Sequence, residues 1–257
     1  MIPLAHITAW RETAPWADDA QVEQDLARAV VQLFESSAIS SSFVLRGGTA
    51  LHKLMIHPAS RYSEDIDLVQ TTPGPIGSLV DIIRKELDSW LGKPKRSSSE
   101  NGVTLTWKFE SEIPPVRPLR LKVEINTREH FTIFGLTSVR FDVENPWFSG
   151  STEIATFQHN ELFATKLRAL YQRKKGRDLF DLWEGLARGF IDPEQVIACF
   201  QQYMQREGHT VTRKQFEHNL NEKQLDTGFL NDIRPLLRSD IEYDPIVRDC
   251  LVARIES

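Results

Sequence analysis

Apolar positions recur along this chain with two periods, and the change from one to the other divides it. Between residues 17 and 37, Val22, Leu26, Ala29, Val30 and Leu33 fall on one stripe, with Asp18 and Asp19 near its start. That spacing predicts an amphipathic helix. The serines from Ser36 to Ser42 then signal a loop. Phe43, Val44 and Leu45 form a short apolar run that stops at Gly47-Gly48, as a buried strand entering a tight turn would. Thr49 is placed to cap a helix carrying Ala50, Leu51, Leu54 and Met55, which Pro58 ends. Asp65 to Val69 is the next strand. Ile76, Leu79, Val80, Ile83 and Leu87 predict a second amphipathic helix over residues 76–91, and Lys93 to Gly102 reads as a polar, basic loop. Two alternating strands follow: Val103, Leu105, Trp107 and Phe109 share one face, and Leu119, Leu121, Val123 and Ile125 share one face of the other. Further short strands are expected between Phe131 and Val143. From about Asn160, placed as a cap, every apolar stretch has the helical period, with breaks at Gly176, at Gly189 to Pro193 and at Gly208.

The pattern predicts an α+β fold. An α+β domain covers residues 1–150, and a C-terminal helical domain covers residues 151–257. Asn145-Pro146 and Ser149-Gly150-Ser151 mark the junction. Residues 189–257 carry helical periodicity without an interpretable motif.

Composition narrows the function classes. The chain has 257 residues, 40% hydrophobic and 26% charged, which is the balance of an ordinary globular protein. It begins without a basic segment leading into an apolar one, and no run approaches the roughly 18 apolar residues of a membrane span. A cytoplasmic protein with no membrane partner is expected. Cys199 and Cys250 make no disulfide framework or zinc spacing, and the seven histidines are scattered. The net charge of −5 means that any nucleic-acid contact must come from local basic patches. Two are visible: Arg173, Lys174, Lys175 and Arg177 in one loop, and Lys93, Lys95 and Arg96 in another.

The candidate chemistry centres on Asp65 and Asp67. Residues two apart on a strand share a face, so Ile66 and Leu68 turn inward and the carboxylates stand side by side. Such a pair is costly unless a cation joins it, and hard oxygen ligands suit Mg²⁺ or Mn²⁺ bound together with substrate phosphates. Glu124 projects from its strand with Arg120, Lys122 and Asn126. If that strand neighbours the Asp65 strand, Glu124 is a third carboxylate, and one of the three is placed to take a proton from an attacking hydroxyl. Gly47-Gly48-Thr49 lets backbone approach a phosphate closely.

The stretch Leu45-Arg-Gly-Gly-Thr-Ala-Leu51 through Arg61-Tyr-Ser-Glu-Asp-Ile-Asp-Leu68 resembles the signature of the AbiEii/AbiGii toxin family, a branch of the DNA polymerase β-like nucleotidyltransferase superfamily. Glu161-Leu-Phe-Ala-Thr-Lys166 resembles the family's helical lysine motif, and Arg177-Asp178-Leu-Phe-Asp181 its Arg-Asp-x-x-Asp motif. The resemblance implies a polymerase β-like core, a mixed sheet with flanking helices. In it Gly47, Gly48 and Thr49 cradle the triphosphate, and Arg61 and Ser63 stand at the mouth of the site. Asp65 and Asp67 hold the metal with Glu124 as the third carboxylate. Lys166 meets the triphosphate, and Asp178 lies nearby and orients Lys166 or the acceptor; both come from the helical domain. The implied reaction moves a nucleoside monophosphate from an NTP to an RNA acceptor, the 3′ end of tRNA. The implied outcome is growth arrest in a toxin–antitoxin or phage-defence system with a cognate antitoxin protein. Arg173, Lys174, Lys175 and Arg177 would contact the RNA. A small-molecule acceptor of the antibiotic kind, phosphoryl transfer, and a non-catalytic partner-binding role are the alternatives.

Overall fold

The computed structural model of the protein describes residues 2–13, 20–112, 114–238 and 240–244. Asp18, Asp19, Cys250 and residues 245–257 lie outside them. The chain forms two compact units. The first takes in described residues of 1–131, 136–156 and 238–240, and the second those of 132–135, 157–237 and 241–257.

The first unit opens with helices α1 (Leu4–Thr13), α2 (Ala20–Glu35) and α3 (Ser37–Ser40). Strand β1 (Phe43–Arg46) runs into the short helix α4 (Gly47–Ala50), which continues as a π turn over Leu51–Met55. Then come β2 (Asp65–Gln70), α5 (Gly77–Leu91), β3 (Lys95–Ser99), β4 (Gly102–Glu110), β5 (Pro118–Asn126), β6 (Leu136–Asn145) and β7 (Phe148–Phe157). The strands form one mixed sheet in the order β3-β4-β5-β2-β1-β7-β6. β2 is antiparallel to β1 and parallel to β5. The fold is therefore α+β, a mixed sheet with flanking helices.

The core explains which face of this sheet is left for chemistry. Ile66, Leu68, Val103, Leu105, Trp107, Leu121, Val123 and Ile125 are buried, as are Leu26, Ala29, Val30 and Leu33 of α2 and Val80, Ile83 and Leu87 of α5. Trp107 Nε1 donates to Asp88 Oδ1 at 3.0 Å and fixes α5 on this face. Ile66 and Leu68 point into that core, so Asp65 and Asp67 emerge on the other face.

Helices of the second unit are α6 (His159–Gln172), α7 (Gly176–Ala187), α8 (Pro193–Arg206), α9 (Arg213–Gln224) and α10 (Thr227–Asn231), followed by a 3₁₀ turn over Arg234–Leu236. Asp192 caps α8 ahead of Pro193, and Thr212 with Gln215 forms a capping box on α9. Lys223 donates to the carbonyls of Leu170 and Tyr171, satisfying the last turn of α6. Cys199 is a buried free thiol, pushed up to about 12 chiefly by burial, with Glu161 adding to it.

Several local expectations need correction. Lys95 to Ser99 is an edge strand rather than a loop; all five side chains are exposed, so no apolar alternation announces it. β6 is ten residues rather than short, and β7, also ten residues, lies beyond the span in which strands were expected. α4 starts at Gly47 without a side-chain cap, and the Thr49 hydroxyl donates instead to the Asp65 carbonyl oxygen. Asn160 lies inside α6, where its side chain accepts from Asp192 N at 2.9 Å and donates to Gln195 at 3.0 Å. Gly176 begins α7 rather than ending α6, and a Cβ there would stand 2.1 Å from the Phe229 carbonyl oxygen.

Asp25 of α2 is buried, and burial is the main cause raising its carboxyl to about 7, with Glu112 adding to it against Gln21 and Arg28. The folded chain keeps this proton up to about pH 7, whereas the unfolded chain releases it near 3.8. Stability from the neutral form is complete below about pH 4 and is lost as pH rises towards 7. Asp25→Asn removes this loss, so urea unfolding at pH 5 and pH 8 is expected to show the variant gaining on the wild type at the higher pH, by about 3 kcal/mol. An equal difference at both pH values would refute the assignment.

Candidate active site

Asp65 and Asp67 stand half-buried on the face of β2 turned away from the core, and the parallel pairing with β5 sets Lys122 opposite Asp65 and Glu124 opposite Asp67. Three carboxylates thus share adjacent register positions, as expected if the two strands are neighbours. Their charge is met from within the sheet. The Lys122 ammonium hydrogen-bonds Glu124 and lies 3.8 Å from Asp65 Oδ2. Burial works against the Lys122 charge, but the Glu124 hydrogen bond and the charges of Asp65, Glu124 and Asp67 outweigh it and hold its pKa above the usual lysine value. On β1, Arg46 is opposite Asp67 and is bonded to Glu129.

The glycine turn is built around this strand. Gly47 has φ +78°, and a Cβ there would stand 2.0 Å from Asp67 Oδ2. At Gly48 a Cβ would meet the Arg61 guanidinium at 2.5 Å and Ser63 Oγ at 3.1 Å. Arg61 is buried and donates to the Tyr62 carbonyl oxygen at 2.9 Å, and Ser63 is buried beside it. The turn, the Arg61–Ser63 segment and the Asp-x-Asp strand are therefore one packed assembly. Thr49 belongs to it through its bond to the Asp65 backbone.

Among the described residues, no three His, Cys, Asp or Glu side chains already converge as metal ligands. The donor chemistry nevertheless fits a hard cation: two carboxylates on one strand, a third at the next strand's register position, and a glycine leaving room against Asp67. In this state the lysine ammonium supplies positive charge to the group.

In the second unit Lys166 and Asp178 meet in a buried cluster. Lys166 Nζ lies 3.2 Å from Asp178 Oδ1 and 2.9 Å from Asp181 Oδ2. Arg173 grips both Asp178 oxygens, at 2.7 and 2.9 Å. Burial pushes the Asp178 carboxyl up, but Lys166 and Arg173 outweigh it and hold it below the usual carboxylate range. The basic run itself is largely offset. Lys174 pairs with Asp226 at 2.7 Å, Lys175 with Asp232 at 3.3 Å, and Arg177 Nε lies 3.7 Å from Asp232.

Four residues acquire roles that spacing alone did not assign. Lys122 counters the carboxylates of two neighbouring strands, and Arg46, opposite Asp67 in register, pairs with Glu129. Asp181 sits three residues after Asp178 on α7, a helical spacing that presents both to one partner. Glu161, the first residue of the lysine motif, is fully buried and accepts from Thr132 Oγ1, Ile133 N, Phe134 N and Tyr203 Oη at 2.7–2.8 Å.

A glycine turn packed against an Asp-x-Asp strand, with a third carboxylate on the parallel neighbour, is the arrangement expected of a nucleotidyltransferase. The family profile described as "Nucleotidyl transferase AbiEii toxin, Type IV TA system" matches residues 28–251. The chain belongs to that family, the nucleotidyltransferase toxins of type IV toxin–antitoxin systems, in which a toxin has an antitoxin partner. Among solved structures it is similar to the nucleotidyltransferase toxin MenT4 of Mycobacterium tuberculosis H37Rv, with a TM-score of 0.58 and 17% identity over 99% of this chain and 87% of that one. JHP933 of Helicobacter pylori gives a TM-score of 0.53 and 18% identity over 88% of this chain and 85% of that one. At these identities the likeness concerns the fold. No curated protein matches in sequence. No helix among the described residues is long and apolar enough to cross a membrane.

Four substitutions test the packing. Gly47→Ala forces an L side chain into a positive φ and onto Asp67, and urea unfolding is expected to show a loss of about 1–3 kcal/mol. Gly77→Ala, where nothing stands within 4 Å, serves as the control and is expected to cost nothing measurable. Glu161→Ala strands four donors and is expected to cost about 3 kcal/mol or more. Tyr203→Phe removes one bond and is expected to cost about 1 kcal/mol. A Glu161→Ala protein as stable as the wild type would show that the cluster is incidental.

Proposed function

We propose that this chain transfers a nucleoside monophosphate from an NTP to the 3′ hydroxyl of an RNA, the 3′ end of a tRNA, and that this arrests growth in a toxin–antitoxin or phage-defence setting in the cytoplasm. The observation that carries the reading is the register that aligns Glu124 with Asp67 on the strand beside Asp65. Asp65, Asp67 and Glu124 would hold Mg²⁺ or Mn²⁺, which supplies charge neutralisation at the phosphates when bound. Gly47 and Gly48 leave backbone open to the triphosphate, with Arg61 and Ser63 packed beneath the turn. Lys166 supplies positive charge to the triphosphate, and Asp178 and Asp181 orient its ammonium.

The reaction is an in-line displacement. The acceptor oxygen forms a bond to the α-phosphorus as the bond from that phosphorus to its bridging oxygen breaks, and pyrophosphate leaves. The acceptor proton passes to one of the carboxylates; Glu124, bonded to Lys122, is the residue we assign as base. The alkoxide-like oxygen and the leaving pyrophosphate both gain negative charge, which explains why cations border the site.

The test uses purified protein, divalent cation, total tRNA and each of the four α-labelled NTPs in turn. Label is expected on RNA with one nucleotide preferred. Asp65→Ala/Asp67→Ala is expected to lose it by at least about 10³-fold, and Lys166→Ala by about 10²-fold. Label on a small molecule, or undiminished activity in the double variant, would sink the reading.

A further inference from the structure

The register of the sheet lays more than carboxylates on the open face. Lys122 is opposite Asp65 on one side and opposite Thr106 on the other, and Thr106 is in turn opposite Lys95 on the edge strand. Thr104 is opposite Glu124 and Ser97. One step further along, Lys108 is opposite Arg120. Residues paired across a ladder project to the same face. Lys95, Lys108, Arg120 and Lys122 therefore form a basic strip on the face of Asp65 and Asp67, with hydroxyls between them. At about 4.8 Å per strand, β3 lies roughly 14 Å from β2. Glu110, two residues beyond Lys108 on this face, bounds the strip.

Two properties separate this strip from the Arg173–Arg177 run. Lys95, Lys108 and Arg120 are exposed, and none has a carboxylate partner among the described residues. Arg173, Lys174, Lys175 and Arg177, by contrast, are held by Asp178, Asp226 and Asp232. In a chain of net charge −5, uncompensated cations at strand spacing beside a carboxylate site form a local attractive field for a polyanion. Hydroxyls and cations without an aromatic side chain suit a sugar–phosphate backbone rather than base stacking.

We infer that the open face of β3, β4 and β5 is the track for the acceptor RNA, gripping its phosphate backbone at Lys95, Lys108 and Arg120 and leading its 3′ end to the carboxylates. The inference rests on the RNA-acceptor reading above. It makes this contact independent of base sequence.

Binding of end-labelled tRNA, without NTP, is followed by fluorescence anisotropy over a salt series. Lys95→Ala/Lys108→Ala/Arg120→Ala is expected to bind at least about 10-fold more weakly, and the slope of log K against log salt is expected to flatten by about 2, at roughly 0.7–0.9 per phosphate contact. Lys174→Ala/Lys175→Ala is expected to leave both quantities near wild type. Unchanged far-UV circular dichroism and thermal melting confirm that the exposed substitutions leave the fold intact. A triple variant with wild-type affinity and slope, or one no weaker than the double variant, overturns the track. A wild-type protein that binds no RNA overturns both the track and the RNA acceptor. Label transfer to RNA that persists while the triple variant binds normally overturns the track alone.

Discussion

Crowded negative charge is the constraint around which the first unit is arranged. Asp65 and Asp67 share a strand face, and the parallel pairing brings Glu124 alongside. Like charges at such separations are tolerated only when cations stand with them. The sheet provides Lys122 on the same strand as Glu124 and Arg46 on the opposite neighbour, while a glycine turn gives up its side chains so that Asp67 and Arg61 can pack against backbone. The register of one parallel strand pair thus sets both the problem and its local remedy.

The second unit meets the same difficulty in reverse. A lysine ammonium buried in α6 would be costly alone, and two fully buried aspartates on one turn of α7 enclose it. Arg173 then balances the second negative charge. Glu161, one turn earlier on α6, spends its charge on four donors of a loop and a tyrosine rather than on a cation. Lys166 and Glu161 of this helical unit therefore each face groups of complementary character.

Much of this architecture was legible from spacing, and the failures are instructive. Alternation identified β4, β5 and the inward turn of Ile66 and Leu68, because half-buried strands write their two faces into the sequence. β3 escaped because an exposed edge strand has no buried face to record. Helix boundaries inferred from Thr49 and Asn160 failed where distant groups, the Asp65 carbonyl and the start of α8, take their side chains, and Gly176 proved to open a helix rather than close one. The basic run looked like free charge because its partners Asp226 and Asp232 lie some fifty positions downstream. Glu124 could be placed on the correct face from sequence, but its alignment with Asp67 depends on a pairing between strands separated by a helix and a hairpin.

The Glu161 clamp also governs how this molecule could ever be divided. By gathering Thr132 to Gly135 onto the helical unit, it makes the chain leave the sheet after β5, return for β6 and β7, and leave again. Neither unit is a single continuous stretch, so no one cut in the gene yields either of them whole. Recombination, fragment complementation and modular fusion all work with contiguous cassettes, and this topology offers none. The sheet and the helices are obliged to be inherited, synthesised and exchanged together.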